Sequence, residues 1–158
     1  MKTRQPNSRH CFVCGIENPA GLKLRFDRTG PGEVTAEYTV SSQYQGYPGV
    51  VHGGIVAAML DEATGRSQME EGEPRFKFTA KLEIHYRKNV PVGQPLRLVG
   101  KAGSRRGRVT TANGAIYDMK GTLLASAEAV LVDVPTEMLQ SADLESLGWK
   151  VYPEEEIA

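Results

Sequence analysis

Only one stretch of this chain carries a helical pattern of any length, and strand patterns flank it on both sides. A turn rich in Gly and Pro, Gly46 to His52, runs directly into Gly53-Gly54-Ile55-Val56-Ala57-Ala58-Met59-Leu60-Asp61-Glu62-Ala63, with the helix expected to continue to about Glu70. At 100° per residue, Val56, Met59, Leu60 and Ala63 form one apolar arc. Gly54, Ala58, Asp61 and Gly65 fall on the opposite side, where a water-facing helix would carry long charged residues. Three small residues and one carboxylate suit either close approach by another backbone, a subunit or a ligand, or a tightly packed helix with an exposed Asp.

Before the helix, Leu22, Leu24 and Phe26 alternate with charged residues, and Val34 to Val40 alternates again after the turn at 29–32, so 22–40 reads as a hairpin. After it, Phe76–Tyr86, Leu96–Lys101, Val109–Tyr117 and Leu123–Val134 read as strands in hairpin succession, with Ser104–Arg108 as a basic turn. The expected fold is α+β: one long helix against an antiparallel sheet of about six strands. A single helix covers only one face of such a sheet, so a homo-oligomer is expected. Residues 1–10 read as a flexible lead-in, 11–135 as the domain, and 136–158 as a short C-terminal helix with a loose acidic tail.

Composition removes several function classes. Lys+Arg and Asp+Glu are both 19, so no bulk field draws the chain to nucleic acid or an anionic membrane. No apolar run approaches a membrane span, and Met1–His10 lacks the apolar segment of a secretory signal, so a cytoplasmic protein is expected. Cys11 and Cys14 are the only cysteines. They read as reduced thiols; His10-Cys11-x-x-Cys14 has no second half-site at zinc spacing, so no metal is expected.

The chemistry concentrates at the helix start. Backbone N–H groups there lack intrahelical acceptors and favour negative charge, and Gly53 and Gly54 leave them unobstructed. Such a site can hold a carbonyl oxygen as it becomes an oxyanion. Asp61, about two turns on, can act as general base or nucleophile, and carboxylate and helix mouth are expected to line one groove. Glu62 lies about 100° round the helix from Asp61, which argues against a glycosidase-type pair. His52 suits capping the helix or bracing the turn better than acting as a base.

His52-Gly53-Gly54 with Asp61 nine residues after the His, and the segment Tyr86-Arg87-Lys88-Asn89-Val90-Pro91-Val92-Gly93, resemble the hotdog-fold thioesterases of the phenylacetyl-CoA thioesterase type. The resemblance covers roughly residues 11–134. It implies a helix wrapped by a sheet, protomers paired into dimers or dimers of dimers, and active sites at the dimer interface. It implies acyl-CoA hydrolysis with Asp61 as base or nucleophile, the Gly54 amide region polarising the carbonyl beside Gly53, and His52 shaping the turn. Thr79 falls where relatives place a Ser or Thr that orients water, contributed by the neighbouring protomer. Relatives carry an Asn or Gln where this chain has Gly46, and Gln43 or Gln45 is the stand-in. Arg87, Lys88, Arg105, Arg106 and Arg108 become candidates for holding coenzyme A phosphates; Arg105 and Arg106 read equally as a solvated turn. No cofactor is implied beyond the coenzyme A of the substrate. Tyr44 and Tyr47 in the upstream loop suit an aromatic or medium apolar acyl group. A hotdog hydratase would need a His well upstream of the acidic residue, where this chain has Tyr47 and Pro48. A non-catalytic acyl-CoA-binding module remains open.

Overall fold

The computed structural model describes residues 1–70, 76–141 and 143–157. Seven antiparallel strands form one sheet in the order β1-β2-β3-β5-β6-β7-β4: β1 Thr3–Arg4, β2 Asp27–Gly30, β3 Glu33–Thr39, β4 Lys77–Tyr86, β5 Pro95–Arg106, β6 Val109–Asp118 and β7 Leu123–Asp133. The helix α1, Gly53–Arg66, lies across one face of the sheet. Its arc of Val56, Met59, Leu60 and Ala63 is at most 1% exposed and packs with Leu96, Leu98 and Ile116 of the sheet. Burying each large side chain there contributes about 1.5–3 kcal/mol.

Two paired glycines set the depth of that packing. Gly100 of β5 sits opposite Gly114 of β6. A Cβ on Gly100 would lie 2.1 Å from the Ala63 carbonyl oxygen, so the helix backbone rests directly on the strand. At Gly114 the corresponding atom would meet Leu60 and Thr64 at 3.3 Å.

Several expectations need correction. The helix stops at Arg66 rather than near Glu70, with Ser67 donating back to the Ala63 carbonyl; its expected end at 71–74 lies outside the described residues. Leu22, Leu24 and Phe26 do point inward, yet 22–26 is not a strand. Lys23 has φ 55°, and the Leu22 and Leu24 amides bond the Phe12 and Val13 carbonyls instead of a ladder partner. The strand β5 runs on to Arg106, which shrinks the basic turn to Gly107 and Arg108.

The largest departure is at the termini. The lead-in is built into the fold: β1 extends the sheet, Gln5 and Asn7 are buried, and Asn7 exchanges backbone hydrogen bonds with Lys150. After the short helices α2, Thr136–Ser141, and α3, Leu144–Leu147, the tail returns, with Tyr152 buried and its carbonyl held by Arg25 at 2.7 Å. Arg66 explains why both termini settle there. This buried arginine bonds Glu62 at 2.8 Å, donates to the Pro6 carbonyl, and stacks on Trp149 (4.9 Å) and Phe26 (5.8 Å).

Candidate active site

The loop before α1 is folded onto itself by its own backbone. The Gly46 amide donates to the Val50 carbonyl, the His52 amide to that of Tyr44, and Gly49 takes φ 79°. His52 then caps the helix: its Nδ1 accepts the Gly54 N–H at 2.9 Å. That bond requires an unprotonated Nδ1, so His52 is neutral when it caps. It also consumes the amide that the sequence offered as oxyanion donor. The Gly53 N–H, one residue earlier, has no partner among the described residues. The Gly53 carbonyl is pinned by the Tyr86 hydroxyl at 2.7 Å, a contact between the helix and the end of β4 that sequence spacing did not reveal. Around this mouth lies a cavity of about 560 Å³, lined by Gly46, Tyr47, His52, Gly53, Tyr86, Arg87 and Lys88.

Asp61 lies elsewhere. Thr79 Oγ1 of β4 donates to Asp61 Oδ1 at 2.5 Å, within the same chain, rather than from a neighbouring protomer as expected. Both line a second cavity of about 270 Å³ whose apolar wall is Met69, Phe76, Leu131 and Trp149. Phe76 and Trp149 meet edge to face with centroids 5.1 Å apart. The aromatic wall comes partly from the C-terminal segment, which strand and helix periodicity could not place. Asp61 follows Gly53 by eight positions, about 12 Å along the helix axis. One groove holding both carboxylate and helix mouth is therefore not what a single chain forms.

The basic residues divide in the same way. Arg87 and Lys88 line the helix-mouth cavity. Arg105, Arg106 and Arg108 lie toward the opposite end of the sheet, about 30 Å away along a ten-residue strand. Arg105 is engaged with Asp133 at 2.7 Å, and Asp133 also pairs with the buried Lys77 ammonium. Those two cations, Lys77 first, hold the Asp133 carboxyl below the usual carboxylate range. No one ligand bound to a single chain can touch all five.

The loop side chains are also reassigned. Gln45 Oε1 accepts the Gly49 N–H at 3.3 Å, which braces the loop. The Tyr44 hydroxyl donates to the Ala20 and Gly21 carbonyls, away from the cavity, whereas Tyr47 lines it and is exposed. At Gly46 an added Cβ would lie 3.4 Å from His52 Cα, so a polar side chain there would rest on the capping residue.

Residues 48–125, which span both half-sites, match the family model described as the thioesterase superfamily. The matched core belongs to the thioesterase superfamily. A solved thioesterase superfamily protein, RHA08564, superposes with a TM-score of 0.72 at 35% identity, over 78% of this chain and 63% of that one. The acyl-coenzyme A thioesterase THEM4 of Mus musculus is 31% identical over 94 residues, 59% of this chain and 40% of that protein. This chain thus spans less than half the length of that relative. The structure of smu.793 from Streptococcus mutans UA159 bound to acetyl CoA gives a TM-score of 0.64 at 18% identity, over 70% and 88% of the two chains, a likeness of fold. The fold of the chain is the hotdog: one helix wrapped by an antiparallel sheet. No described helix is long and apolar enough to cross a membrane.

Proposed function

We propose that the chain hydrolyses acyl-CoA thioesters to the free acid and coenzyme A, in a site assembled from two copies. The observation that carries the reading is the Thr79–Asp61 hydrogen bond in a cavity with an apolar wall, found in a chain whose free helix-mouth amide opens into a different cavity. Each chain holds one half of what acyl transfer needs. Asp61 can take a proton from water as it attacks the thioester carbonyl, or attack that carbon itself, with Thr79 fixing the carboxylate's orientation. The oxyanion must be met by a donor aimed at it, and Gly53 N–H of the second copy is the free one. The coenzyme A thiolate then leaves toward the helix-mouth cavity, where Arg87 and Lys88 can hold phosphates. Solved relatives with acetyl CoA or coenzyme A named as bound support coenzyme A as the ligand.

The second copy has a surface to occupy. Among the described residues strand β4 pairs only with β7 and ends the sheet, and Phe78 and Tyr86 on it are 49% and 56% exposed. Gly54, Ala58, Asp61 and Gly65 are likewise not buried. Joining two β4 edges would continue the sheet and bring the small-residue faces together. The result is a homodimer, or a dimer of dimers, working in the cytoplasm without a cofactor. The cavity beside Asp61 suits a short or aryl acyl group.

The test is a panel of short, medium and aryl acyl-CoAs with the purified chain, following thiol release with a chromogenic disulfide. Turnover that Asp61→Asn abolishes supports the reading. Binding of coenzyme A esters without turnover of any of them would leave the non-catalytic binding module.

A further inference from the structure

We infer that Cys11, Cys14 and Glu62 form a zinc site that staples the N-terminal turn to the helix carrying Asp61. The donor atoms of these three residues lie within 4.8 Å of one another. Two of them come from a tight turn and the third from α1, so the convergence is tertiary and linear spacing could not show it.

The turn has the build of a metal knuckle. The Gly15 amide closes it on the Cys11 carbonyl at 2.7 Å, and a Cβ at Gly15 would lie 2.3 Å from that oxygen. Asn7, itself buried, fixes the turn by donating to the Cys14 carbonyl at 2.8 Å. Ser8 Oγ lies 3.4 Å from Cys14 Sγ. The Glu62 carboxylate accepts from Arg66 Nε through Oε1 at 2.8 Å and also faces the Cys14 thiol.

Charge balance favours a divalent ion. Two thiolates and one carboxylate bring three negative charges; Zn2+ and the buried Arg66 guanidinium bring three positive ones. Two thiolates select a soft or borderline cation over Mg2+ or Ca2+, and three protein ligands leave a fourth position for water from the adjoining cavity. Binding takes both cysteines as thiolates, so any proton still on either sulfur passes to solvent, and affinity falls as pH is lowered. A disulfide between the same cysteines would account for the two sulfurs but not for the carboxylate facing them.

The experiment uses the whole chain, purified under reducing conditions, and titrates Zn2+ against a chromogenic chelator. The expected result is one zinc per chain, with Co2+ substitution giving a thiolate-to-metal charge-transfer band. Cys11→Ser and Cys14→Ser should each weaken binding roughly tenfold or more, with circular dichroism confirming the fold. Glu62→Gln should weaken zinc binding while leaving both thiols free. If the wild type takes up no zinc in competition with the chelator, or if a second preparation made without reductant is two hydrogens short in mass because Cys11 and Cys14 are joined, the inference fails. Neither outcome depends on acyl-CoA hydrolysis, so this site and the proposed activity stand or fall separately.

Discussion

Thr79 Oγ1 and Asp61 Oδ1 are 2.5 Å apart, and that bond joins the helix to the edge strand of the sheet. It engages Oδ1 of a carboxylate that lines the cavity, and so it sets the direction in which Asp61 can meet water. Asp61→Asn keeps the shape of the side chain and removes its basicity. Steady-state hydrolysis of the best acyl-CoA should fall about a hundredfold or more, with an unchanged melting temperature. Thr79→Ala should lower kcat roughly fivefold to tenfold, the loss of one orienting hydrogen bond, with little change in KM. A Thr79→Ala enzyme as fast as wild type would remove Thr79 from the site.

Much of the scaffold for that bond is legible in the chain. Period-two alternation locates β3 to β7, and the arc of Val56, Met59, Leu60 and Ala63 locates the buried face of α1, because both patterns record which side of an element meets the core. The termini were illegible for a physical reason. Gln5 and Asn7 are buried polar residues whose side-chain amide nitrogens donate across the fold, to the Arg66 carbonyl and to the Cys14 and Leu24 carbonyls respectively. Neither leaves a local pattern. Arg66 is similar: an arginine late in a helix reads as solvent-facing, and only Trp149 and Pro6 in three dimensions turn it inward. The candidate site was legible as residue types but not as an assembly. His52, Gly53, Gly54 and Asp61 are close in sequence, yet the helix rise carries them into different cavities.

Capping by His52 predicts a split between stability and chemistry. His52→Ala removes the acceptor for the Gly54 N–H, which costs about 1 kcal/mol and lowers the melting temperature by roughly 2–4 °C. The freed Gly54 amide then competes with Gly53 for the carbonyl oxygen, and kcat should fall. His52→Asn keeps a capping acceptor and should recover most of the stability in urea denaturation. If His52 instead acted as a base, Asn would restore stability and none of the rate.

The edge strand gives a prediction on assembly. Phe78 is an exposed aromatic on a strand with one unpaired edge. Phe78→Lys places a charge on that edge and should shift the sedimentation profile from dimer toward monomer at micromolar concentration. Hydrolysis should fall with the dimer fraction, because the Asp61 cavity and the helix-mouth cavity then separate. Full activity in a demonstrated monomer would show that one chain suffices.

Asp133 sits between the buried Lys77 ammonium and Arg105, and both lower its carboxyl pKa in the folded state, Lys77 foremost. A carboxyl whose folded pKa lies below its unfolded value stabilises the fold above the unfolded value, about 3.9, and loses that contribution as pH falls through the folded one. Asp133→Asn leaves Lys77 buried against a neutral amide, which should cost about 1–2 kcal/mol at pH 7; the moderate size reflects the partial exposure of Asp133. Urea denaturation from pH 7 down to pH 3 should show the gap between wild type and variant closing with acidification. A gap that stayed constant over that range would mean that Asp133 acts through packing at the end of β7 and not through its charge.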